Sequence, residues 1–345
     1  MRSAGAVRFR DPQIEMAHGA GGKASRRLVE GLIAPLLGGP LLGPLMDAAV
    51  LELGAERVAL TADAFVVRPL RFPGGSIGEL AVNGTLNDLA MAAARPAALV
   101  VTLVLEAGLA ASVLEAEVRA IAAAAERAGV GVVGGDTKVV EHGKADGMYI
   151  TTTGLGIVDP RARLSPAAVR PGDRVLLSGP IGDHGITILL ARGELDFEAS
   201  LCSDTRPVLP FVERLLDVAA DGLRWMRDPT RGGVASALNE LAVDTRLGVG
   251  LLEEMIPLRD QVRGACELLG LDPLHIANEG QFLAVLAPEV ADAALAAVRA
   301  TPGGEAAALI GEIRTEPAGA VLSTAPYGGA RIVDMLVGDP LPRIC

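Results

Sequence analysis

The sequence predicts a protein of two α/β domains that meet near residue 160, and three observations predict it. The chain has 345 residues, about twice the usual domain of roughly 100–200. Strand-like and helix-like stretches alternate without long structureless gaps. The alternation halts at RLSPAAVRPGD (163–173) and then begins again. Half of the residues are hydrophobic and 3% are aromatic, so the cores are built from Ala, Leu and Val rather than from large rings.

In order along the chain, RVALTADAFVV (57–67) reads as a strand, and RPLRFPGG (68–75) breaks it with two prolines and two glycines. Ser76 and Glu79 have the spacing of a capping box, which opens a helix to about Ala94, ahead of Arg95-Pro96. AALVVTLVL (97–105) reads as a strand. Ser112 with Glu115 repeats the capping-box spacing and opens an Ala-rich helix to about Ala128. Val130–Val133 and Met148–Val158 read as further strands.

The second half holds strand RVLLSG (174–179), helices near 185–192 and 207–220, the loop RDPTRGG (227–233) and a helix from Val234 to about Thr245. Strand FLAVLA (282–287), a helix after Pro288 and strand AALIGEI (307–313) continue it. These patterns divide the chain into residues 1–160, 161–334 and a tail, 335–345. Gly338, Pro340 and Pro342 oppose regular structure in the tail. At about 3.3 Å per residue its last seven steps reach roughly 23 Å, so a mobile arm is expected.

The net charge of −11 and pI near 5.0 argue against a nucleic-acid partner, whose phosphates attract clustered Lys and Arg. No charge-free apolar stretch reaches the roughly 20 residues a membrane-spanning helix needs, and Pro96 to Leu105 is half of that. MRSAGAVRFRDPQIEM at the N-terminus lacks the apolar segment of a signal peptide. A soluble, cytoplasmic protein without a membrane partner is the expectation. The three cysteines, Cys202, Cys266 and Cys345, match neither a disulfide framework nor a CxxC metal site. Cys345, at the end of a Pro-rich arm, gains nothing from packing and is the one thiol with a chemical expectation.

Several loops pair glycine with charge. HGAGGK (18–23) offers bare backbone N–H groups and Lys23 to an anion, though without P-loop spacing. Asp63 in TADAF, Asp88 in NGTLNDLA and Asp136 in GGDTK are carboxylates of the kind that hold magnesium beside ATP phosphates. A solvated or ion-paired acid is the plain alternative at each. On the helix Asn83 and Asn87 share a face, whereas Asp88 is turned about 100° from Asn87. GGDTK ends a predicted strand and suits a loop touching phosphate and metal. RDPTRGG ends at a helix start, where backbone N–H groups favour an anion, although Asp228 there also fits a turn. SGPIGDHG (178–185) and NEGQF (278–282) each set one acid beside glycine, and Glu279 suits a general base or a solvated loop.

HGAGGK, TADAFVV, FPGGSIGELAVNGTLNDLAMAAARP, GGDTKVV, SGPIGDHG, RDPTRGGVASALNELA, NEGQF and the terminal PRIC together resemble the HypE family of hydrogenase-maturation carbamoyl dehydratases, in order and over nearly the whole chain. That family resembles the wider aminoimidazole ribonucleotide synthetase superfamily. The resemblance implies an α/β (α+β) fold of two domains, the first dimerising through a β-barrel and the second α/β, with ATP and Mg2+ between them. It further implies that a carbamoyltransferase, HypF, loads carbamoyl onto Cys345. ATP then drives its dehydration to a thiocyanate, and the cyano group passes to the iron of NiFe hydrogenase on a HypC–HypD scaffold.

Carried over by position, the resemblance makes Asp63, Asp88 and Asp136 magnesium ligands. Gly19, Gly21, Gly22, Lys23, Asn83, Thr137 and Asp228 join them as ATP contacts. Glu279 removes a proton and Lys138 stabilises charge. Ala20 and Ala64 stand where more polar residues are expected. The alternatives are a kinase or synthetase of the same superfamily, selenophosphate synthetase-like or thiamine-phosphate kinase-like, or a non-catalytic maturation scaffold. A selenophosphate synthetase would need a cysteine near the glycine loop, and none precedes Cys202.

Overall fold

The computed structural model describes residues 8–37, 45–193, 200–336, 338, 341 and 343–345. Helix α1 (Lys23–Leu28) runs through a π turn into α2 (Ala34–Leu37). Strands β1 (Ala49–Leu53) and β2 (Glu56–Phe65) form a hairpin across Gly54, whose φ of 66° the turn requires. A small ribbon, β3 (Arg71–Phe72) and β4 (Gly75–Ser76), leads into α3 (Ile77–Met91). Then come β5 (Ala94–Glu106), α4 (Ala111–Arg127), β6 (Val132–Val140) and β7 (Met148–Val158). These build an open five-stranded sheet in the order β1-β2-β7-β5-β6, antiparallel except for the β5–β6 pair, which α4 joins as a crossover.

The second half contributes β8 (Arg174–Leu177), α5 (Asp183–Ala191), α6 (Leu209–Ala219), β9 (Leu223–Arg227), α7 (Gly233–Thr245), β10 (Gly248–Leu252) and α8 (Asp260–Leu269). It closes with β11 (Leu283–Leu286), α9 (Pro288–Arg299), β12 (Ala308–Arg314), β13 (Val321–Thr324) and β14 (Ala330–Val333). Its seven-stranded sheet has the order β14-β13-β10-β12-β8-β11-β9, with β10–β13 its one parallel pair among the described residues. Both sheets are therefore mixed and mainly antiparallel, the α+β form of the expected fold class.

Helix α3 is buried nearly all round, because it packs on β2, β5 and β7 on one side and reaches α6 of the second half on the other. One apolar cluster runs across this junction, from Leu80 and Leu86 of α3 to Val212 and Leu215 of α6. Asp88, near the end of α3, thus lies at this junction.

Neither capping box forms. Ser76 precedes α3 in extended conformation but makes no side-chain cap bond. Glu117 of α4, fully buried, instead accepts the Gly78 N–H at 3.1 Å, and Glu79 pairs with Arg127. Ser112 lies inside α4, whose N-cap is Ala110, and Glu115 pairs with Arg119 one turn on. Tertiary partners displaced the local ones. The predicted loop GGDTK is a second departure: it lies within β6, because β5 supplies a paired partner for each of its residues from Gly134 to Lys138.

The end of the chain is seated in this structure. Leu341 and Ile344 are buried, and the Val66 N–H donates to the Cys345 main-chain oxygen at 3.0 Å. No helix among the described residues is long and apolar enough to cross a membrane.

Candidate active site

Three carboxylates converge where the two halves meet. Asp47 precedes β1, Asp88 lies near the end of α3 and Asp228 follows β9, and their ligand oxygens all lie within 4.8 Å of one another. The Thr61 hydroxyl of β2 donates to Asp88 Oδ2 at 2.7 Å. Arg227 reaches Asp47 Oδ1 at 2.7 Å and Glu240 Oε2 at 2.9 Å. Asp63, on the same sheet face as Thr61, adds a fourth charge.

Burial, then the neighbouring acids, push Asp88 and Asp228 well above the usual carboxylate range. Burial raises Asp47 to about 6 against the pull of Arg227, and burial also raises Asp63. Asp47 Oδ2 is buried without a hydrogen-bond partner among the described residues. Crowded, under-satisfied carboxylates of this kind fit a hard divalent cation such as Mg2+, which wants oxygen donors and relieves their repulsion.

Glu279 lies beside this cluster, 3% exposed, with Oε1 unpartnered among the described residues. Burial and then Asp228 push its carboxyl well above the usual range. A buried carboxyl whose proton affinity is raised in this way is suited to proton transfer. Asn87 braces it: its amide donates to the Glu279 carbonyl at 3.0 Å and to the Arg206 carbonyl at 2.9 Å, while its oxygen accepts the Val208 N–H at 2.9 Å. Asn83, on the same helix face, donates to Thr205 Oγ1 at 3.2 Å, and Asp88 faces away from both. The helical 100° step separates the two roles.

The glycine loop packs on the RDPTRGG loop. Arg231 Nη1 donates to the Gly19 carbonyl at 3.2 Å. A Cβ on Gly21, whose φ is 74°, would fall 2.5 Å from the Arg231 carbonyl oxygen. Gly22 presses equally close on Leu336, whose carbonyl accepts the Lys23 N–H at 3.0 Å, and the Lys23 ammonium pairs with Asp334. Between these loops a cleft of about 170 Å³ contains Gly21, Ser25, Asp228, Arg231 and the buried Ser236 at the start of α7. An adjoining cavity of about 160 Å³ holds Cys345 opposite Gly19, Ala64 and Arg231. Negative charge on Cys345, then on Asp63, Glu279 and Asp88, raises Arg231, which lines the same cavity as Cys345.

Of the expected residues, the fold brings together Asp63, Asp88, Asp228, Glu279, Gly19, Gly21 and Cys345, with Asn83 alongside. It does not bring Asp136, Thr137 and Lys138 to them within one copy. Asp136 pairs across the sheet with Thr102, Thr151 and Ala64, so it lies three strand spacings, roughly 14 Å, from β2 and on the face opposite Asp63. It is exposed, and Lys138 at 2.6 Å, with the Thr137 N–H, holds its carboxyl below the usual range. Asp47 and Arg231 are the residues that sequence reasoning missed. Asp47 in MDAAV has no glycine beside it, and its only signal is an acid leading into a strand.

Residues 45–158 match the model of the AIR synthase related protein N-terminal domain, and residues 170–322 that of the C-terminal domain. The carbamoyl dehydratase HypE of Azotobacter vinelandii is 50% identical over 337 residues, 98% of each chain. A crystal structure of the hydrogenase maturation protein HypE in complex with ATP is 44% identical, with a TM-score of 0.80 over 96% of this chain and 100% of that one. A chain of a crystal structure of a HypE–HypF complex is 39% identical, with a TM-score of 0.85 over 90% of this chain and 99% of that one. With both domains matched and half of its residues shared with a full-length relative, the chain belongs to the HypE family of carbamoyl dehydratases.

Proposed function

We propose that this protein carries a carbamoyl group on the Cys345 thiol and uses ATP to dehydrate it to a thiocyanate, the cyanide donor for the iron of NiFe hydrogenase. The observation that carries this reading is the seating of the terminal thiol in a cavity that adjoins the carboxylate cluster, Arg231 and the glycine loop. The thiocarbamate oxygen attacks the γ-phosphorus of ATP, and ADP departs. The amide nitrogen then gives up both its protons, the C–O bond breaks and phosphate leaves. In sum, S-carbamoyl and ATP yield thiocyanate, ADP, phosphate and one proton. Phosphorylation turns a poor leaving group into a good one.

Glu279 accepts a proton from the nitrogen, for which its burial and raised affinity suit it. Arg231 holds positive charge beside the reacting group. Gly19, Gly21, Gly22, Lys23, Asn83 and Asp228 contact the nucleotide. Asp47, Asp63, Asp88 and Asp228 would hold Mg2+, which neutralises phosphate charge when bound. Asp136, Thr137 and Lys138 act on the nucleotide of a second copy in a homodimer, which explains their exposure on the edge strand β6. HypF supplies the carbamoyl group, and a HypC–HypD complex receives the cyano group, in the cytoplasm.

Intact-protein mass spectrometry tests the reading. Incubation with HypF and carbamoyl phosphate should add one carbamoyl group to the parent and none to Cys345→Ala. Mg-ATP should then remove the mass of one water. A parent that takes up no carbamoyl from an active HypF would refute it.

A further inference from the structure

Three consecutive residues, Ser203, Asp204 and Thr205, each hold a different part of the site. Ser203 acts through His184, a fully buried residue at the second position of α5. His184 Nε2 lies 3.0 Å from the Ile344 carbonyl oxygen, and Nδ1 lies 2.7 Å from Ser203 Oγ. A carbonyl only accepts, so Nε2 carries the proton and Nδ1 accepts from the Ser203 hydroxyl. Ser203 Oγ in turn accepts the Thr205 N–H at 3.1 Å. Phe72 packs against the imidazole in a T-shaped pair with ring centroids 5.6 Å apart. The ring therefore has one orientation and one tautomer, and it presents a donor to the residue that immediately precedes Cys345.

The other two residues face the chemistry. Asp204 Oδ1 accepts the Glu279 N–H at 3.0 Å, and Thr205 Oγ1 accepts from Asn83 at 3.2 Å. The strip is anchored by the Ser203 N–H, which donates to the Pro73 carbonyl at 2.9 Å. The Val66 N–H, to the Cys345 main-chain oxygen, and Arg192, to the Arg343 carbonyl, also contact the tail's end.

We propose that His184, set by Ser203, is the positioning residue that seats the C-terminal thiol, and that residues 203–205 register the seated thiol against Glu279 and Asn83. This rests on Cys345 as carrier and Glu279 as base. One buried neutral hydrogen bond shifts the balance between seated and released tails by up to roughly tenfold, enough to matter and small enough to let the tail leave for loading.

Two readouts test it on the full-length protein. The first is the rate of iodoacetamide alkylation at the half-buried Cys345, followed on its own peptide because Cys202 is exposed. The second is the rate at which Mg-ATP removes water from protein already carbamoylated. His184→Phe should raise alkylation and lower dehydration, each by roughly tenfold, while carbamoyl loading is undiminished. His184→Gln, whose amide nitrogen reaches as far as Nε2, should restore most of both. Parental rates in His184→Phe, or a Gln variant no better than Phe, would overturn the proposal. Should His184→Phe fail to fold by circular dichroism, Ser203→Ala keeps the ring, removes its partner and must shift both rates in the same directions. If the parent itself takes up no carbamoyl, the functional reading fails, and alkylation alone still decides the seat.

Discussion

Thr61 is the outer partner of the carboxylate cluster, and its hydroxyl orients Asp88 Oδ2. Thr61→Val keeps the shape and removes the donor, so metal affinity should fall by roughly 10–100-fold, as read by titration calorimetry with Mg2+ in the presence of ATP. Asp183 illustrates a different balance. Burial raises it to about 6, although Arg259 at 2.7 Å opposes the shift. Between about pH 4 and 6 the folded state therefore binds more protons than the unfolded one, and stability falls as pH rises through that window. In Asp183→Asn the decline should be shallower, with chemical denaturation at a series of pH values as the measurement. An unchanged slope would assign the burden to other acids.

At the scale of elements, α3 carries the site's most consequential helix residues, Asn83, Asn87 and Asp88, and its first turn is held by Glu117 rather than by its own cap. A Cβ at Gly78 would fall 2.5 Å from the Glu117 carbonyl oxygen. Gly78→Ala should therefore cost about 1–3 kcal/mol in urea unfolding, despite the higher helix propensity of Ala. Both capping-box spacings read correctly as the neighbourhood of a helix start and wrongly as its mechanism. A buried carboxylate from another helix, and arginines at 127 and 119, outcompeted the local pairings. Strand β6 carries the same lesson. GGDTK looks like a loop because glycine is a poor strand former, yet Gly135 approaches the Val101 carbonyl so closely that an added Cβ would lie 1.9 Å from it.

At the scale of the molecule, one face of the first sheet exposes Leu60, Val100, Leu155 and Ile157. Neighbouring pairs such as Leu60 with Leu155 make this apolar surface continuous across strands. In the proposed homodimer that face is covered, so Leu155→Asp should shift the protein to monomers in light scattering and depress ATP-dependent dehydration. Subunit exchange tests the shared site directly. Asp136→Asn and Asp88→Asn should each be nearly inactive. Their mixture should recover up to about a quarter of parental activity, because random pairing leaves half of the dimers mixed and each of these has one intact site. No recovery on mixing would confine Asp136 to its own chain.

The sequence by itself determined the fold class, most element positions and most of the acids that gather. Asp63, Asp88, Asp228 and Glu279 were legible through the family resemblance of the motifs that hold them, whereas spacing alone left a solvated, ion-paired or turn role open at each. Only the tertiary structure decided which of them meet. Asp47 was recruited from an unremarkable strand start, and Asp136 was turned away, since strand pairing alternates faces and a single step of register reverses a side chain. The seat of Cys345 was equally invisible. His184, Ser203 and Ile344 are far apart in sequence, and local spacing carries no information about groups that only long-range packing of the two halves brings within a hydrogen bond.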